Sequence, residues 1–327
     1  MMSIEVSVVV PTCRRPELLN RCLTALVRQQ FDQGIFEIIV VDDGPSADTR
    51  QRVLSWAART PGRGPVIRYL ANTATRGPAA ARNRGWQAAC GNIIAFTDDD
   101  TIPAPGWLRS GSKALENGAV AAWGRIIMPI PDPPTDYERD AAGLEHAEFV
   151  TANCFVRKSV LEAISGFDEH FKLAWREDAD LFFRLLEHDP PGIDYVPHAV
   201  VVHPVRPAPW GISIRQQRKV LFDALLYKKH PSLYRRKIRP TPPWGYYAIA
   251  AMLLVSPSAA LAGQWGLSIA ASLVWIALTG SFTLERLRHT SHAPRHIVEM
   301  VVTSALIPIL SVFWRAVGAV KFRVFFV

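Results

Sequence analysis

One stretch of 45 consecutive residues, Pro240 to Leu284, contains no Asp, Glu, Lys, Arg or His. A helix needs about 20 apolar residues to cross a bilayer, so this stretch is long enough for two crossings. Gln264-Trp265-Gly266 is typical of a turn in its middle, which predicts spans over about 244–263 and 266–284. The alternative is a helical hairpin that is buried inside a soluble protein.

The basic residues of the chain are concentrated just before this stretch. Residues 1–202 carry 21 Lys and Arg against 26 Asp and Glu, a net charge of −5, whereas residues 203–239 carry ten against one, a net charge of +9. Residues 240–327 add +4, which gives +8 for the chain. A basic segment beside an apolar span favours contact with anionic membrane lipids or a lipid-linked phosphate over nucleic acid.

The same charges predict the orientation of the chain. Basic residues flank the apolar stretch on both sides, so the positive-inside rule places the N-terminal part in the cytoplasm, at the inner membrane. The N-terminus has no basic region of the kind that opens a signal peptide. The four cysteines have no metal-binding spacing, which suits a reducing compartment.

A third apolar segment, about 297–314, is short, contains Pro308, and is followed by Arg315 and Lys321. If it spanned the membrane, it would carry those charges to the far side. If it lay in the interface, the charges would stay among the headgroups. The sequence favours the interfacial arrangement and leaves a third span as the alternative.

Strands and helices alternate over the first hundred residues. The predicted strands are Val6–Val10, Phe36–Val41, Val66–Leu70 and Asn92–Thr97. Helices Pro16–Gln30, Asp48–Ala58 and Pro78–Cys90 lie between them, and the first of these repeats apolar residues at i, i+3 and i+4. This order predicts an α/β fold with a mostly parallel sheet and helices on both faces.

The chain beyond residue 118 is less regular. Its predicted strands are Ala119–Ile127, Phe149–Val156 and Tyr195–Val202, and Arg176–His188 is an amphipathic helix. Residues 129–140 hold four prolines, which is typical of an exposed loop. Three regions follow: an α/β domain over 1–205, a basic juxtamembrane segment over 206–240, and membrane-anchoring helices over 241–327.

Polar residues follow the ends of three predicted strands. They are Thr12–Arg15, Asp42–Gly44 and Asp98–Asp100. Ligands bind beyond the carboxyl ends of strands in such sheets, so one site should gather all three groups. Three aspartates at a buried strand end suit Mg²⁺ or Mn²⁺ shared with a phosphate, and a solvated turn is the alternative.

Six motifs occur in the order and spacing of a known family. They are Val8–Arg15, Ile38–Gly44, Gly77–Gly85, Phe96–Asp100, Gly166–Phe171 and Arg176–Leu181. Together they resemble the family-2 glycosyltransferases, inverting enzymes of the GT-A fold that use nucleotide-diphosphate sugars. The resemblance covers about residues 4–203.

The resemblance implies a role for each matching residue. The residues that it implies in donor binding are Pro11, Thr12, Arg14, Asp42, Arg76, Arg82, Asn83, Asp98 and Asp99. Asp100 and His203 match positions that hold a divalent cation, Mn²⁺ or Mg²⁺. The triple aspartate leaves open whether Asp99 or Asp100 is the ligand, and turn or helix-start roles are the alternatives for several of these residues.

Glu177-Asp178 matches the catalytic carboxylates of that family. The resemblance implies that Asp178 is the general base, which removes the proton of the acceptor hydroxyl, and that Glu177 orients it or the acceptor. Acidic residues are also favoured in the first turn of any helix, so capping is the alternative.

The sequence is therefore interpreted as a membrane-anchored inverting glycosyltransferase. We expect it to move a sugar from a nucleotide-diphosphate sugar to a lipid-linked or saccharide acceptor, as in cell-surface polysaccharide or glycolipid synthesis. A sugar nucleotidyltransferase also places aspartates at the strand ends of such a sheet. It needs a glycine-rich loop after its first strand, however, and Pro11–Arg15 is not such a loop. The non-enzymatic alternative is a membrane-tethered module that binds nucleotide sugars without turnover.

Overall fold

The computed structural model describes residues 4–31, 35–60, 64–188 and 192–326. The chain divides into two compact units. Met1–Pro129 and Gly143–Val205 form the first unit, and Ile130–Ala142 and Arg206–Val327 form the second. The first unit thus ends at the predicted end of the α/β domain, whereas residues 130–142 belong with the C-terminal part of the chain.

The first unit contains a sheet of eight strands and the helices around it. The strands are β1 (Ile4–Thr12), β2 (Ile35–Asp42), β3 (Val66–Ala71), β4 (Ile93–Phe96), β5 (Ile102–Pro103), β6 (Ala121–Ile127), β7 (Cys154–Arg157) and β8 (Ile193–Val202). The helices are α1 (Pro16–Leu26), α2 (Ala47–Arg59), α3 (Pro78–Gln87), α4 (Trp107–Glu116), α6 (Lys158–Ala163) and α7 (Glu177–His188). In space the strands run β3-β2-β1-β4-β7-β6-β8-β5.

The sheet is parallel in its first half and mixed in its second. β3, β2, β1 and β4 are parallel neighbours, as the alternation predicts. β7 is antiparallel to both β4 and β6, β6 is parallel to β8, and β5 is antiparallel to β8. The prediction of an α/β fold is confirmed, and the sheet is mixed beyond β4, where β7 runs against the direction of its neighbours.

Predicted helices and strands of the first unit differ from the structure mainly at their ends. Leu19, Cys22, Leu23 and Leu26 of α1 are fully buried, as their spacing predicts. The predicted strand over 149–156 is wrong in its first half, since β7 begins only at Cys154. Phe149 has a φ of 54°, in the left-handed region, which is incompatible with extended backbone.

A close approach between α3 and the sheet fixes the position of the α3 side chains. A Cβ at Gly85 would lie 2.3 Å from Val9 Cγ1, so only glycine fits at this contact. Gly77, which precedes α3, has a φ of 124° and donates its N–H to Asp43 Oδ2 at 2.9 Å. These two glycines bring Arg82, one turn before Gly85, over the carboxyl ends of β1 and β4.

The second unit consists of helices. They are α5 (Asp136–Ala142), α8 (Ile212–Gln216), α9 (Leu221–Lys229), α10 (Pro231–Leu233), α11 (Trp244–Leu261), α12 (Trp265–Leu287) and α13 (Pro294–Phe322). The expected loop over 129–140 is thus wrong in its last part, where α5 begins. Thr135 and Glu138 form a capping box: the Thr135 N–H donates to Glu138 Oε2 at 2.7 Å, and the Glu138 N–H donates to Thr135 Oγ1 at 3.3 Å. All four prolines precede this box.

Three helices of the second unit are long and apolar enough to cross a membrane. α11 and α12 have 18 and 23 residues and coincide with the two predicted spans. α13 has 29 residues, with Pro308 inside it, so the expectation of a short third segment is wrong. Apolar residues on its outer face are exposed, whereas its buried face includes polar and small residues such as Thr303, Ser304 and Gly318.

Candidate active site

The carboxyl ends of β1, β2, β4 and β8 bring together most of the predicted site residues. Thr12 ends β1 and pairs in register with Asp42 at the end of β2. The aspartates 98–100 follow β4, and His203 follows β8, where its N–H donates to the Ile127 carbonyl at 2.8 Å. The convergence arises because β1 lies between β2 and β4, and because β8 returns to the same sheet through β6.

Asp98, Asp100 and His203 form a cluster suited to a divalent cation. One ligand atom from each lies within 4.8 Å of the other two. His203 Nε2 is 3.7 Å from Asp100 Oδ1, and His203 Nδ1 is buried and has no hydrogen-bond partner among the described residues. Two carboxylates and one imidazole are a donor set that Mn²⁺ and Mg²⁺ accept, so these residues fit such an ion.

Arg82 joins this cluster to the first turn of α7. It is 3% exposed, and it donates to Asp98 Oδ1 at 2.8 Å and to Glu177 Oε1 at 3.1 Å. Arg82 Nε and Glu177 Oε2 are buried and have no hydrogen-bond partner in the described part of the chain. An unpartnered guanidinium N–H beside a cation cluster is well placed for a phosphate oxygen.

The two carboxylates at the start of α7 are held in different surroundings. Glu177 is 4% exposed, and burial, followed by the charge of Asp178, raises its pKa to about 7 despite the nearby Arg82. Asp178 is half-buried, accepts from the Ala179 N–H at 2.7 Å, and has its pKa raised by burial. Adjacent carboxylates with raised pKa values are typical of groups that take up protons in catalysis.

Asp99 points away from the cation cluster. It is 2% exposed and accepts from Thr12 Oγ1 at 2.7 Å and from Arg15 Nη1 at 3.0 Å. Arg15 Nη1 also lies 3.8 Å from Asp100 Oδ2. Asp99 and Asp100 lie in the turn that follows β4, and the structure groups Asp100, and not Asp99, with His203. Asp99 thereby ties the β1 end to the β4 end.

Two other predicted donor-binding residues make contacts that shape the site. Asp42 is fully buried and accepts from the Gly44 and Ser46 N–H groups and from the Tyr69 hydroxyl, so it closes the turn after β2. Asn83 exchanges two hydrogen bonds with the Phe167 backbone, at 2.9 and 2.8 Å. These contacts fix backbone positions at the edge of the site, and contact with a donor stays a prediction.

The remaining predicted donor-binding residues lie nearer the surface. Pro11 is half-buried, and Arg14 and Arg76 are exposed. Arg14 was predicted to bind the donor, whereas the arginine that contacts the aspartates is Arg15, which was not predicted. Arg14 has a φ of 53°, so the chain turns sharply there. The turn reverses the direction in which adjacent side chains point, and no pattern of apolar residues encodes this turn.

A protein-family comparison identifies the class of this chain. Residues 7–179, more than half of its length, match the model of glycosyl transferase family 2. The matched region contains every strand-end motif described above except His203. The chain therefore belongs to this family and is a glycosyltransferase.

Relatives of the chain are also glycosyltransferases. Glycosyltransferase AglE of Haloferax volcanii is 27% identical over 231 residues, 66% of this chain and 71% of that protein. The pre-mycofactocin glycosyltransferase of Mycobacterium tuberculosis is 31% identical over 215 residues, 61% of this chain but only 42% of that longer protein.

A solved structure has the same fold. It is the mannosyltransferase PcManGT of Pyrobaculum calidifontis, solved with GDP-Man and Mn²⁺. The match covers 98% of this chain and 87% of PcManGT, with a TM-score of 0.60 and 20% identity.

Proposed function

We propose that this glycosyltransferase moves a sugar from a nucleotide-diphosphate sugar to an acceptor at the membrane surface, with inversion at the anomeric carbon. The observation that carries the proposal is the continuous chain of charged contacts from His203 and Asp100 through Asp98 and Arg82 to Glu177. It places a cation cluster, a phosphate-binding guanidinium and a pair of carboxylates in one unit.

Each part of this chain of contacts has a distinct task. Asp98, Asp100 and His203 would hold Mn²⁺ or Mg²⁺, which neutralises negative charge on a leaving diphosphate. Arg82 donates to a phosphate oxygen of the donor and keeps Asp98 in place. Asp178 accepts the acceptor's hydroxyl proton while that oxygen bonds to the anomeric carbon and the bond from this carbon to the diphosphate oxygen breaks.

The bound donor of PcManGT supports a nucleotide-diphosphate sugar as the substrate class, since that structure holds GDP-Man with Mn²⁺ on the same fold. The test is hydrolysis of UDP- and GDP-sugars by the purified full chain, with and without added Mn²⁺. We expect metal-dependent release of nucleoside diphosphate, abolished in the Asp98→Asn/Asp100→Asn double variant. Leu54→Ala, on the exposed face of α2, is the matched control. Equal release by the double variant would refute the assigned cation site.

The second unit supports anchoring at the membrane. α11 and α12 are long enough to span, and basic residues lie at the ends of this hairpin that the positive-inside rule places in the cytoplasm. We propose that they cross the cytoplasmic membrane and that the catalytic unit faces the cytoplasm. Removal of residues 240–327 should then release the chain from vesicles, and a truncated protein that still sediments with them would assign the anchor to the basic segment.

We propose that α13 lies in the interface instead of forming a third span. The segment 211–229 follows α13 in the same direction: the Gly211 N–H donates to Glu299 at 2.6 Å, Arg218 lies over Trp314, and Phe222 contacts Phe322. If α13 spanned the bilayer, the charged side chains of this segment would be drawn into it. Each charge at the bilayer centre costs about 2.5–3.5 kcal/mol on insertion scales, so the in-plane arrangement is favoured.

Cysteine labelling distinguishes the two arrangements of α13. In a background with all four native cysteines replaced by serine, Arg323→Cys should react with a membrane-impermeant maleimide only after the cells are permeabilised. Gln264→Cys, in the turn between α11 and α12, should react in intact cells, and Arg239→Cys should not. Labelling of Arg323→Cys in intact cells would show that α13 spans.

A further inference from the structure

A cleft on the first unit lies apart from the cation cluster. Its volume is about 240 Å³, and it is lined by Trp123, Tyr195, Glu145, His146 and Glu148 among other residues. Trp123 of β6 and Tyr195 of β8 are register partners, with ring centroids 5.5 Å apart. Tyr195 is 51% exposed, so its ring presents an open aromatic surface at the cleft.

The composition of the cleft favours an uncharged, hydroxyl-rich ligand. Two exposed carboxylates, Glu145 and Glu148, face the aromatic pair, and the cleft is lined by no lysine or arginine among the described residues. Carboxylates accept hydrogen bonds from hydroxyl groups but repel phosphate. Aromatic rings offer a flat apolar surface to the C–H face of a sugar ring.

The cleft is connected to the catalytic carboxylates through α7. The Trp123 ring lies 6.1 Å from the ring of Phe182, which is four residues after Asp178 and therefore on the same face of the helix. Four residues of helix span about 6 Å, roughly the length of one sugar unit. The other end of the cleft is tied to the end of β6, where Glu145 accepts from the Met128 N–H, next to the His203 strand.

We propose that this cleft is an acceptor subsite that binds a saccharide unit of the acceptor by stacking on Trp123 and Tyr195. The proposal rests on the transferase function above and deepens it, since it makes the acceptor a glycan or glycolipid whose sugar, and not its phosphate, is recognised here. The carboxylates Glu145 and Glu148 accept hydrogen bonds from the ring hydroxyls. A phosphate of a lipid-linked acceptor would have to lie outside the cleft.

Saccharide binding can be measured without knowing the natural acceptor. The probes are the methyl glycosides of glucose, mannose, galactose and N-acetylglucosamine, followed by saturation-transfer NMR on the full chain in a detergent that contains no sugar. We expect at least one glycoside to bind, and Tyr195→Ala to weaken it about tenfold. Leu54→Ala, which removes an exposed apolar side chain elsewhere in the unit, should leave binding unchanged.

A second measurement separates this proposal from the proposed function. Hydrolysis of the nucleotide sugar does not need the cleft, so Tyr195→Ala should keep its rate while transfer to the bound glycoside falls about tenfold. Trp123→Ala should likewise keep the hydrolysis rate and lose transfer. If this variant does not fold, Tyr195→Ala still provides the test, because Tyr195 is exposed. A wild-type chain that hydrolyses the donor but binds no glycoside would overturn the subsite. Absence of hydrolysis, with glycoside binding intact, would instead count against the transferase mechanism.

Discussion

Arg82 of the first unit and Arg286 of the second unit are both buried, but they are surrounded in opposite ways. Arg286 in the second unit donates to Asp136 at 2.7 Å and to the Thr303 and Ser304 hydroxyls at 2.7 and 3.0 Å. Its charge is matched by one carboxylate, and every guanidinium nitrogen has a partner. Arg82 in the first unit faces Asp98 and Glu177, and both Arg82 Nε and Glu177 Oε2 lack a hydrogen-bond partner among the described residues.

The difference separates an architectural ion pair from a binding site. A buried pair that is fully hydrogen-bonded locks elements together, and Arg286 links α12 to α5 and α13 in this way. A cluster with more carboxylates than cations, with unpartnered polar atoms and with raised pKa values such as those of Glu177 and Asp178, is costly unless a ligand completes it. The Arg82 cluster has these properties, which is why we assign it to donor and cation binding.

The largest effect is expected at Asp178, the proposed general base. Asp178→Asn should slow sugar transfer about 100- to 10,000-fold, the usual contribution of a general base, while the affinity for nucleoside diphosphate stays nearly unchanged. Steady-state transfer rates and calorimetric titration with UDP or GDP measure the two quantities. Asp194→Asn, an exposed carboxylate of β8, is the control. Loss of nucleotide affinity in Asp178→Asn would assign this residue to donor binding.

The second prediction tests whether Arg286 is architectural. Arg286→Ala leaves the half-buried Asp136 without its partner and should lower the free energy of unfolding by about 1–3 kcal/mol. The double variant Arg286→Met/Asp136→Leu, which removes both charges, should recover most of that loss. Denaturant unfolding in detergent measures both. A double variant no more stable than Arg286→Ala would show that the pair is needed for more than charge balance.

Much of the first unit was predictable because its signals are local. Each of these signals is encoded in a short segment: the strand-forming runs, the i, i+3, i+4 spacing of α1, and the polar residues at strand ends. Together they predicted β1 to β4 and the grouping of aspartates at one edge of the sheet. The antiparallel β7 was not predictable in the same way. Its neighbours β4 and β6 are chosen by long-range packing, which no short pattern encodes.

The details of the site depended on side-chain direction, which a single residue can reverse. The left-handed conformation of Arg14 brings Arg15 to the aspartates, and the turn after β4 brings Asp99 to Thr12. The start of α5 did have a local signal, the Thr135–Glu138 capping box, which was hidden by the prolines before it. The fit of segment 211–229 along α13 has no such signal.

The third prediction concerns Asp99 and Asp100, which follow β4. The contrast between an architectural contact and a binding site assigns Asp99 to the first role and Asp100 to the second. Asp100→Asn removes a ligand of the cation cluster and should weaken Mn²⁺ binding about tenfold or more. Asp99→Asn disturbs the hydrogen bonds to Thr12 and Arg15, and should lower stability by about 1–3 kcal/mol with a smaller effect on the metal. Mn²⁺ titration followed by electron paramagnetic resonance, with melting curves in parallel, distinguishes them. Equal loss of Mn²⁺ binding in both variants would contradict the division.

The smallest effect, a few degrees in melting temperature, tests the charge excess around Arg82 directly. The pKa of Glu177 is raised from 4.5 to about 7, so between these values the folded chain holds a proton that the unfolded chain has released. Stability contributed by this proton is present at pH 5 and is lost as the pH rises through 7. Glu177→Gln removes this loss, so without added metal its melting temperature should rise relative to wild type between pH 5 and pH 8.

Glu37 provides the control for this experiment, because its pKa is shifted in the opposite direction to that of Glu177. Although burial alone would raise its pKa, hydrogen bonds from the Cys90 N–H, Ser7 and Arg68 lower it below 4.5. Its stabilisation is therefore complete above pH 5, and Glu37→Gln should show the same melting-temperature difference from wild type at pH 5 and pH 8. If Glu177→Gln also showed a constant difference, Arg82 would balance the carboxylates as fully as Asp136 balances Arg286, and the inference that the first cluster requires a ligand would fail.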